Sequence, residues 1–342
     1  MENKQRKPVY SSEYLQLDKI LNAQDPESLK EGVRADDEML FIIIHQSYEL
    51  WFKQILHELK IVSEIFRQPN IQNNAPDIYN SVHRLKRICT ILNVAVGQMA
   101  ILETMTPLDF LDFRDFLRPA SGFQSIQFKM IEATLGLAYE SRHGKSYYLS
   151  QLNADDIARV KEAESQQSLL VLINNWLMRM PFIDNKAYWE AEDSFWNQYR
   201  KAYSESLSEA EMHNLKVFDQ LFINNSEYPA DRSFGPIANR NALFIMLYRD
   251  HPLLHLPYEL LNTLLEIDEM LSMWRHRHIH LVQRTIGKRV GTGGSSGAEY
   301  LKNAADSHYV FKELAELASF LLPRHCLPKL PAQLINDLGY NH

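Results

Sequence analysis

Hydrophobic residues recur every three or four positions between residues 260 and 281, which is the spacing of an amphipathic helix. These positions are Leu260, Leu264, Ile267, Leu271, Trp274 and Leu281. No proline or glycine interrupts the chain from Tyr258 to Ile286, and Gly287 is a suitable stop signal. The pattern therefore predicts one long helix over residues 258–286.

A second apolar helix is predicted in the N-terminal third, where Phe41, His45, Tyr48 and Phe52 follow helical spacing. Acidic residues at positions 36–38 suit its N-terminus, so we expect it to run from about residue 36 to 66. Shorter patterns predict helices over residues 13–22, 78–99, 106–114, 123–137 and 298–322. Residues 140–236 are more polar and predict a mostly helical excursion that packs on the main body.

Composition supports the same fold class. The 342 residues include only 12 glycines and are rich in helix formers, and no long Pro/Gly/Ser linker divides them. We therefore predict an all-α, bundle-like protein with a single domain over residues 1–342, including the excursion at about 140–236. The hydrophobic fraction of 45% is sufficient for a substantial core.

Charge and cysteine content exclude several classes of protein. The net charge of −7 offers no basic surplus for nucleic acid. Only Cys89 and Cys326 occur, which excludes a disulfide framework or a cysteine-built metal centre and fits a reducing compartment. The longest apolar run, Met39–Ile44, is too short to span a membrane, and the N-terminus lacks a signal sequence. We expect a cytoplasmic protein without a membrane or nucleic-acid partner.

Three histidines alternate at positions 276, 278 and 280, and their geometry depends on local structure. A strand would place all three on one face, as in a facial metal site. The predicted helix instead places His278 on the apolar stripe, while His276 and His280 fall on a more polar side with Arg275, Arg277 and Arg284. His278 is then either a core histidine bonded to a carbonyl or a single functional histidine.

Three further features can carry chemistry. His45 is embedded in the apolar stripe of its own predicted helix, so it could share a pocket with His278 and a cofactor between helices. Arg114 is flanked by phenylalanines, and either binds Asp109 or Asp112 internally or clamps a ligand carboxylate or phosphate. The loop from Gly291 to Gly297 is either a plain connector or an element that closes over an anion.

Several of these segments together resemble the tryptophan 2,3-dioxygenase family. The matching segments are YLQLDKILNAQ (14–24), LFIIIHQSYELWFKQILHEL (40–59), ILETMTPLDFLDFRDFLRPASGFQSIQF (101–128), WRHRHIHLVQRTIGKRVGTGGSSG (274–297) and LLPRHCLPK (321–329). The resemblance covers most of the chain and is weakest over residues 140–236. It implies an all-α enzyme that inserts both atoms of O₂ across the indole C2–C3 bond of L-tryptophan and gives N-formylkynurenine.

The resemblance also implies a cofactor and a role for individual residues. One ferrous haem b per subunit is expected, with His278 as the axial ligand of its iron and His45 as the distal histidine near the indole N–H. The remaining substrate contacts implied are Phe41, Ile42, Ile43 and Ile44 around the indole, Phe110 beside them, Arg114 at the carboxylate, and Thr292 at the ammonium and carboxylate groups.

The family resemblance further implies a homotetramer in which the N-terminal segment reaches a neighbouring subunit. The family has two tyrosines three residues apart in this segment, whereas Tyr10 and Tyr14 are four apart here. Only Tyr14 is therefore carried over as a substrate-pocket residue. The alternatives to this function are a haem-binding sensor or carrier on the same scaffold and a haem oxygenase for another indole amino acid.

Overall fold

The structure is a computed structural model that describes residues 8–69, 71, 76–137, 152–183, 185, 187–189, 194–287, 289, 302, 305 and 308–339. These residues contain helices and no strand, so the predicted all-α class is confirmed for the part of the chain described. The helices are α1 (Ser11–Tyr14), α2 (Leu17–Leu21), α3 (Glu27–Lys30), α4 (Asp37–Phe66), α5 (Pro76–Leu102), α6 (Pro107–Arg114), α7 (Ile126–Leu135), α8 (Ala154–Ser165), α9 (Leu169–Met178), α10 (Phe195–Ser206), α11 (His213–Phe218), α12 (Pro236–Leu247), α13 (Pro252–Ile286), α14 (Lys312–Glu316) and α15 (Ala332–Leu338).

Three long helices form the frame of the molecule. α5 packs along both α4 and α13, while α7 packs against α4, and the short helix α6 contacts both α4 and α13. The face of α4 that includes Phe52, Ile55 and Leu59 is completely enclosed in the core. Burial of one such side chain contributes about 1.5–3 kcal/mol to the stability of the fold. Several such side chains on one apolar face of each helix therefore hold this frame together.

The two predicted long helices are confirmed. α4 occupies the predicted range, and α13 extends its predicted range by starting at Pro252. Proline is favourable at a first helical position, because the missing N–H would have no partner there. Pro257 lies in the second turn and removes one backbone hydrogen bond, which is why the sequence pattern placed the start beyond it.

Two helix predictions are wrong in detail. Residues 13–22 form two short helices, because Gln16 adopts a left-handed conformation with φ of 52°. The range 298–322 is not one helix either. Residues 308–311 are non-helical, because the Asp268 carboxylate accepts the N–H groups of Val310 and Phe311 at 3.1 and 2.5 Å. α14 begins only after this interruption.

The described part of the 140–236 excursion is helical and shares the main core. Trp176 of α9 packs edge-to-face on Phe66 of α4, with ring centroids 5.6 Å apart. α9 also packs along α12, which leads into α13. The excursion therefore supports the frame that includes α4 and α13.

α5 is the one helix among the described residues that is long and apolar enough to cross a membrane. Within its most apolar window, 44% of the residues are buried inside the protein. Its contacts with α4 and α13 are those of a core helix.

Candidate active site

Helices α4 and α13 bring aromatic rings together between them. Trp274 of α13 lies edge-to-face against Tyr48 and Phe52 of α4, with ring centroids 6.3 and 6.1 Å apart. Phe128 of α7 covers another side of the same indole, at 4.8 Å. Tyr48 and Phe128 were not predicted as site residues, although helical spacing aligns Tyr48 with His45.

His278 lies one turn after Trp274, and the two ring centroids are 5.2 Å apart. Its Nδ1 atom is buried and has no hydrogen-bond partner among the described residues. His45 and His276 differ, because the Nδ1 atom of each bonds the carbonyl oxygen four residues earlier in its own helix, at 2.6 and 2.9 Å. The His278 ring is therefore not tied to its helix backbone in this way.

The His278 ring is neutral at pH 7. Burial, with a smaller contribution from nearby His45, lowers the pKa of His278 to about 4. A neutral imidazole keeps the lone pair that metal ligation requires. His276 and His280 are exposed whereas His278 is half-buried, so His278 points away from the other two, as the helical phase predicted. No three His, Cys, Asp or Glu side chains of the described ranges group as a metal site, which leaves His278 as a single candidate ligand.

His45 has a defined tautomer. Its Nδ1 atom lies 2.6 Å from the Phe41 carbonyl oxygen, and because a carbonyl can only accept, Nδ1 carries the proton. Burial lowers the pKa of His45, while the Phe41 carbonyl and Glu49 oppose that shift. The neutral ring then presents Nε2 as a hydrogen-bond acceptor.

An aromatic wall adjoins His45. The Phe41 ring is tilted by 37° against the His45 ring, with the centroids 4.1 Å apart, and also contacts Phe110 and Phe113 of α6 at 5.7 and 5.5 Å. α6 is fixed at its start by a capping box, in which the Thr106 hydroxyl accepts the N–H of Asp109 and the Asp109 carboxylate accepts the N–H of Thr106. This cap sets the position of both phenylalanines.

The segment 41–44 does not present one continuous face. Phe41 contacts the His45 and Phe110 rings, whereas Ile44 is buried in the core and Ile42 is half-buried. Ile43 is 46% exposed, because it lies about 200° around the helix from Phe41. Among these four residues, Phe41 is therefore the best placed to form a pocket wall.

Arg114 ends α6, one turn after Phe110, and is only 6% exposed. The sequence offers Asp109 and Asp112 as internal partners of Arg114. Asp112 is exposed. Asp109 serves the capping box, where hydrogen bonds from Thr106 lower its pKa. Arg114 is therefore a buried arginine on the same short helix as Phe110 and Phe113 of the aromatic wall.

The remaining predicted site residues are Tyr14 and Thr292. Tyr14 in α1 is 77% exposed and is surrounded by other exposed residues of the N-terminal segment. Thr292 lies outside the described residues.

Arg275 corrects a sequence expectation. The helical phase assigned it to the polar side of α13, but it is 4% exposed and forms a buried ion pair with Glu132 of α7 at 2.7 Å. The expectation was wrong because the partner carboxylate comes from a distant part of the chain, and a paired charge can be buried where an unpaired one cannot.

Comparison with known proteins gives a consistent result. The sequence profile of the family described as Tryptophan 2,3-dioxygenase matches residues 2–217 and 214–321. A tryptophan 2,3-dioxygenase of the bacterium Alteromonas mediterranea is 42% identical, over 97% of this chain and 98% of the relative. Relatives of the same name from Dictyostelium discoideum and Rattus norvegicus are 40% and 37% identical. These alignments cover 98% and 93% of this chain, and 89% and 83% of the relatives.

Proposed function

The chain belongs to the tryptophan 2,3-dioxygenase family, and we propose that it performs the family reaction at a haem b held by His278. It adds both atoms of O₂ across the indole C2–C3 bond of L-tryptophan and forms N-formylkynurenine, the first step of the kynurenine route. The alternative of a haem sensor or carrier is not favoured, because relatives from bacteria to mammals all carry the name of this enzyme.

The environment of His278 fits the proposed cofactor. Its neutral imidazole can donate a lone pair to iron, and the aromatic side chains around Trp274 suit a large planar group. When bound, ferrous haem supplies an iron centre that binds and activates O₂. The residues of the chain contribute the ligand, the apolar surroundings and the orientation of the substrate. One haem per subunit is proposed.

His45 and Phe41 would position the indole. The Nε2 atom of His45 is an acceptor in the tautomer set by Phe41, so it can receive a hydrogen bond from the indole N–H. The adjacent rings of Phe41 and Phe110 offer an apolar wall to the indole, supplemented by Ile42, Ile43 and Ile44 in the family assignment. An apolar wall excludes water and so strengthens the few polar contacts present.

Arg114 would hold the carboxylate of L-tryptophan. A guanidinium can form two parallel hydrogen bonds with a carboxylate, and burial strengthens them by excluding competing water. Thr292 is proposed to contact the ammonium and carboxylate groups of the same substrate. Together these contacts would fix which edge of the indole faces the cofactor.

We propose a homotetramer in which the N-terminal segment reaches the pocket of a neighbouring subunit with Tyr14. The segment is attached at its base, where the Glu38 carboxylate accepts the N–H groups of Glu27 and Ser28, and Gln46 donates to the carbonyl oxygen of Ala23. The preceding apolar side chains are exposed in the single chain and would be covered by a partner: Val9, Tyr10, Tyr14, Leu15, Ile20 and Leu21.

The remaining proposals concern organisation and location. Residues 1–342 are proposed to form one catalytic domain, since α9 and α12 share a continuous core with α4 and α13. The cytoplasm is proposed as the location. A nucleic-acid partner is not proposed, consistent with the net charge of −7, and a membrane partner is not proposed, consistent with the packing of α5 in the core.

The neutral His278 ring, with its unbonded Nδ1 atom, is the observation that carries the haem assignment. The test is an absorbance spectrum of the purified protein before and after the reduced form is mixed with L-tryptophan and air. A Soret band followed by the absorbance of N-formylkynurenine is expected. A protein without a Soret band that still forms the product would contradict the haem proposal while leaving the reaction intact.

A further inference from the structure

A buried ionic cluster lies next to the candidate site and has no role in the proposed reaction. Its centre is Arg275, one turn before His278 on α13. The Arg275 guanidinium donates through Nη2 to Glu132 of α7 at 2.7 Å and through Nη1 to the carbonyl oxygen of His308 at 2.9 Å. The His308 Nδ1 atom lies 3.4 Å from the same Glu132 carboxylate. All three residues are buried.

The cluster is part of a longer attachment along α13. Ala305 and residues 308–311 contact this helix in antiparallel order, as four pairs show: Ala305 with Ile279, His308 with Arg275, Tyr309 with Ser272, and Phe311 with Asp268. On α13 these pairs extend from Asp268 to Ile279, a stretch that includes Trp274 and His278. Within this series, the pair formed by Arg275 and His308 also reaches a third element, α7, through Glu132.

We propose that Arg275 is a positioning residue for His278. This inference rests on the proposed function, because it takes His278 as the axial ligand. The planar guanidinium satisfies two acceptors in different directions, so it fixes α7 and the 308–311 segment against one turn of α13. That turn then presents the His278 ring at a defined position relative to α7.

The connection to His278 passes through packed rings. The Arg275 guanidinium carbon lies 5.9 Å from the centre of the Phe128 ring, which contacts Trp274 at 4.8 Å. Trp274 in turn contacts His278. If Arg275 is lost, Glu132 and the His308 carbonyl oxygen both lose a buried donor. Because the loss of a buried, charge-assisted donor is costly, we expect α7 or the 308–311 segment to move, and the packed rings to move with it.

Arg275→Lys is the decisive variant, since it keeps the positive charge but not the planar, two-directional donor. The holoenzyme is assayed for haem loss to an apomyoglobin acceptor and for the iron–histidine stretching band by resonance Raman. We expect roughly tenfold faster haem loss, as is typical when a side chain that orients a metal-ligating histidine is removed. We also expect a shifted iron–histidine band. Arg275→Gln should show larger changes of both kinds.

Two controls separate positioning from general stability. Glu58→Gln removes another buried carboxylate that binds two arginines, on α4 and away from this cluster. Arg277→Gln removes a half-exposed arginine from the same turn of α13. We expect both controls to lower the melting temperature at most, with haem loss and the iron–histidine band as in the unmodified protein.

Either of two results would overturn the inference. One is an Arg275→Lys holoenzyme with the unmodified haem-loss rate and iron–histidine band. The other is a band shift of equal size in the Glu58→Gln control. A separate His278→Ala sample distinguishes this failure from failure of the haem assignment. If His278→Ala keeps the axial signature, the ligand assignment itself is wrong; if it loses the signature, only the role of Arg275 is in question.

Discussion

The Nδ1 atom of His45 lies 2.6 Å from the carbonyl oxygen of Phe41, one turn earlier in α4. This contact assigns the proton to Nδ1 and leaves Nε2 as an acceptor, while burial keeps the ring neutral by lowering its pKa. A neutral ring with Nε2 as an acceptor is suited to receive a hydrogen bond from the indole N–H, which a protonated, positively charged ring could not accept.

Replacement of His45 by alanine should therefore weaken substrate selection and leave some turnover. Loss of one neutral hydrogen bond costs about 1 kcal/mol, so we expect KM for L-tryptophan to rise roughly fivefold. Steady-state rates with L-tryptophan and 1-methyl-L-tryptophan provide the check. The variant should discriminate less between them, because the methylated indole lacks the N–H. Complete loss of turnover with normal haem and substrate binding would instead make His45 an obligatory base.

His278→Ala should abolish stable haem binding, since it removes the proposed axial ligand. The measurement is the Soret absorbance per protein after purification with added haem. His276→Ala and His280→Ala are matched controls from the same helix, and both should keep the band because their side chains are exposed. A full Soret band with an unchanged axial-ligand signature in His278→Ala would contradict the assignment.

Arg114→Ala should reduce L-tryptophan affinity far more than O₂ affinity. Removal of one partner from a buried, charge-assisted contact costs about 2–5 kcal/mol, and we expect that range here. Spectral titration of the ferrous protein with L-tryptophan and with tryptamine tests whether Arg114 binds the carboxylate. Tryptamine has no carboxylate, so it should bind equally to the unmodified protein and to Arg114→Ala. Arg118→Ala, an exposed arginine paired with Asp115, is the control. Equal losses for both ligands would mean that Arg114 is structural.

Glu58 should contribute to the acid sensitivity of the fold. Burial opposes its ionisation, but hydrogen bonds from Arg87 and Arg84 hold the pKa of its carboxyl below the ordinary value of 4.5. A carboxyl with a lowered folded pKa binds fewer protons in the folded than in the unfolded state. Its stabilisation is therefore complete above pH 4.5 and decreases as the pH falls below that value.

Glu58→Gln should lower the free energy of unfolding at pH 7 by about 3 kcal/mol, because two arginines lose a buried partner. It should also flatten the decline in stability below pH 4.5. Urea unfolding at several pH values measures both effects. Glu259→Gln, which removes a more exposed pair with Lys86, should cost less than about 1 kcal/mol. An unchanged acid slope in Glu58→Gln would refute the pKa argument.

Tyr14→Ala should impair a neighbouring subunit and not its own. We expect a severalfold increase in KM for L-tryptophan, about 1 kcal/mol, with the melting temperature unchanged because Tyr14 is exposed in the single chain. Co-expression of Tyr14→Ala with Arg114→Ala provides the check. Mixed oligomers should contain some intact pockets, and those pockets should turn over L-tryptophan with the unmodified KM, which neither variant shows alone. No recovery in isolated mixed oligomers would place Tyr14 outside the neighbouring pocket.

The sequence was sufficient for features that depend on local periodicity. The apolar stripes located α4 and α13, and the phase of α13 separated His278 from the exposed His276 and His280. The same reasoning paired His45 with Phe41, since residues four apart on a helix are neighbours. These are contacts within one helix, so no knowledge of the tertiary structure was required.

Features that depend on distant partners could not be predicted in this way. Arg275 is buried because Glu132 of α7 neutralises it, and residues 308–311 leave the helical conformation because Asp268 bonds their N–H groups. In both cases the partner comes from another part of the chain, at a separation that periodicity does not report. The tautomer of His45 likewise needed a measured distance.

The antiparallel attachment of residues 308–311 to α13 has a consequence for the order of assembly during synthesis. Arg275 and His278 are made before His308 and Phe311. Until those later residues emerge from the ribosome, the Arg275 guanidinium lacks one of its two acceptors and Asp268 lacks both of its backbone donors. The turn that carries His278 therefore reaches its final setting only after residues 308–311 have been made, so a cofactor held by His278 would be captured in its mature geometry only after that point.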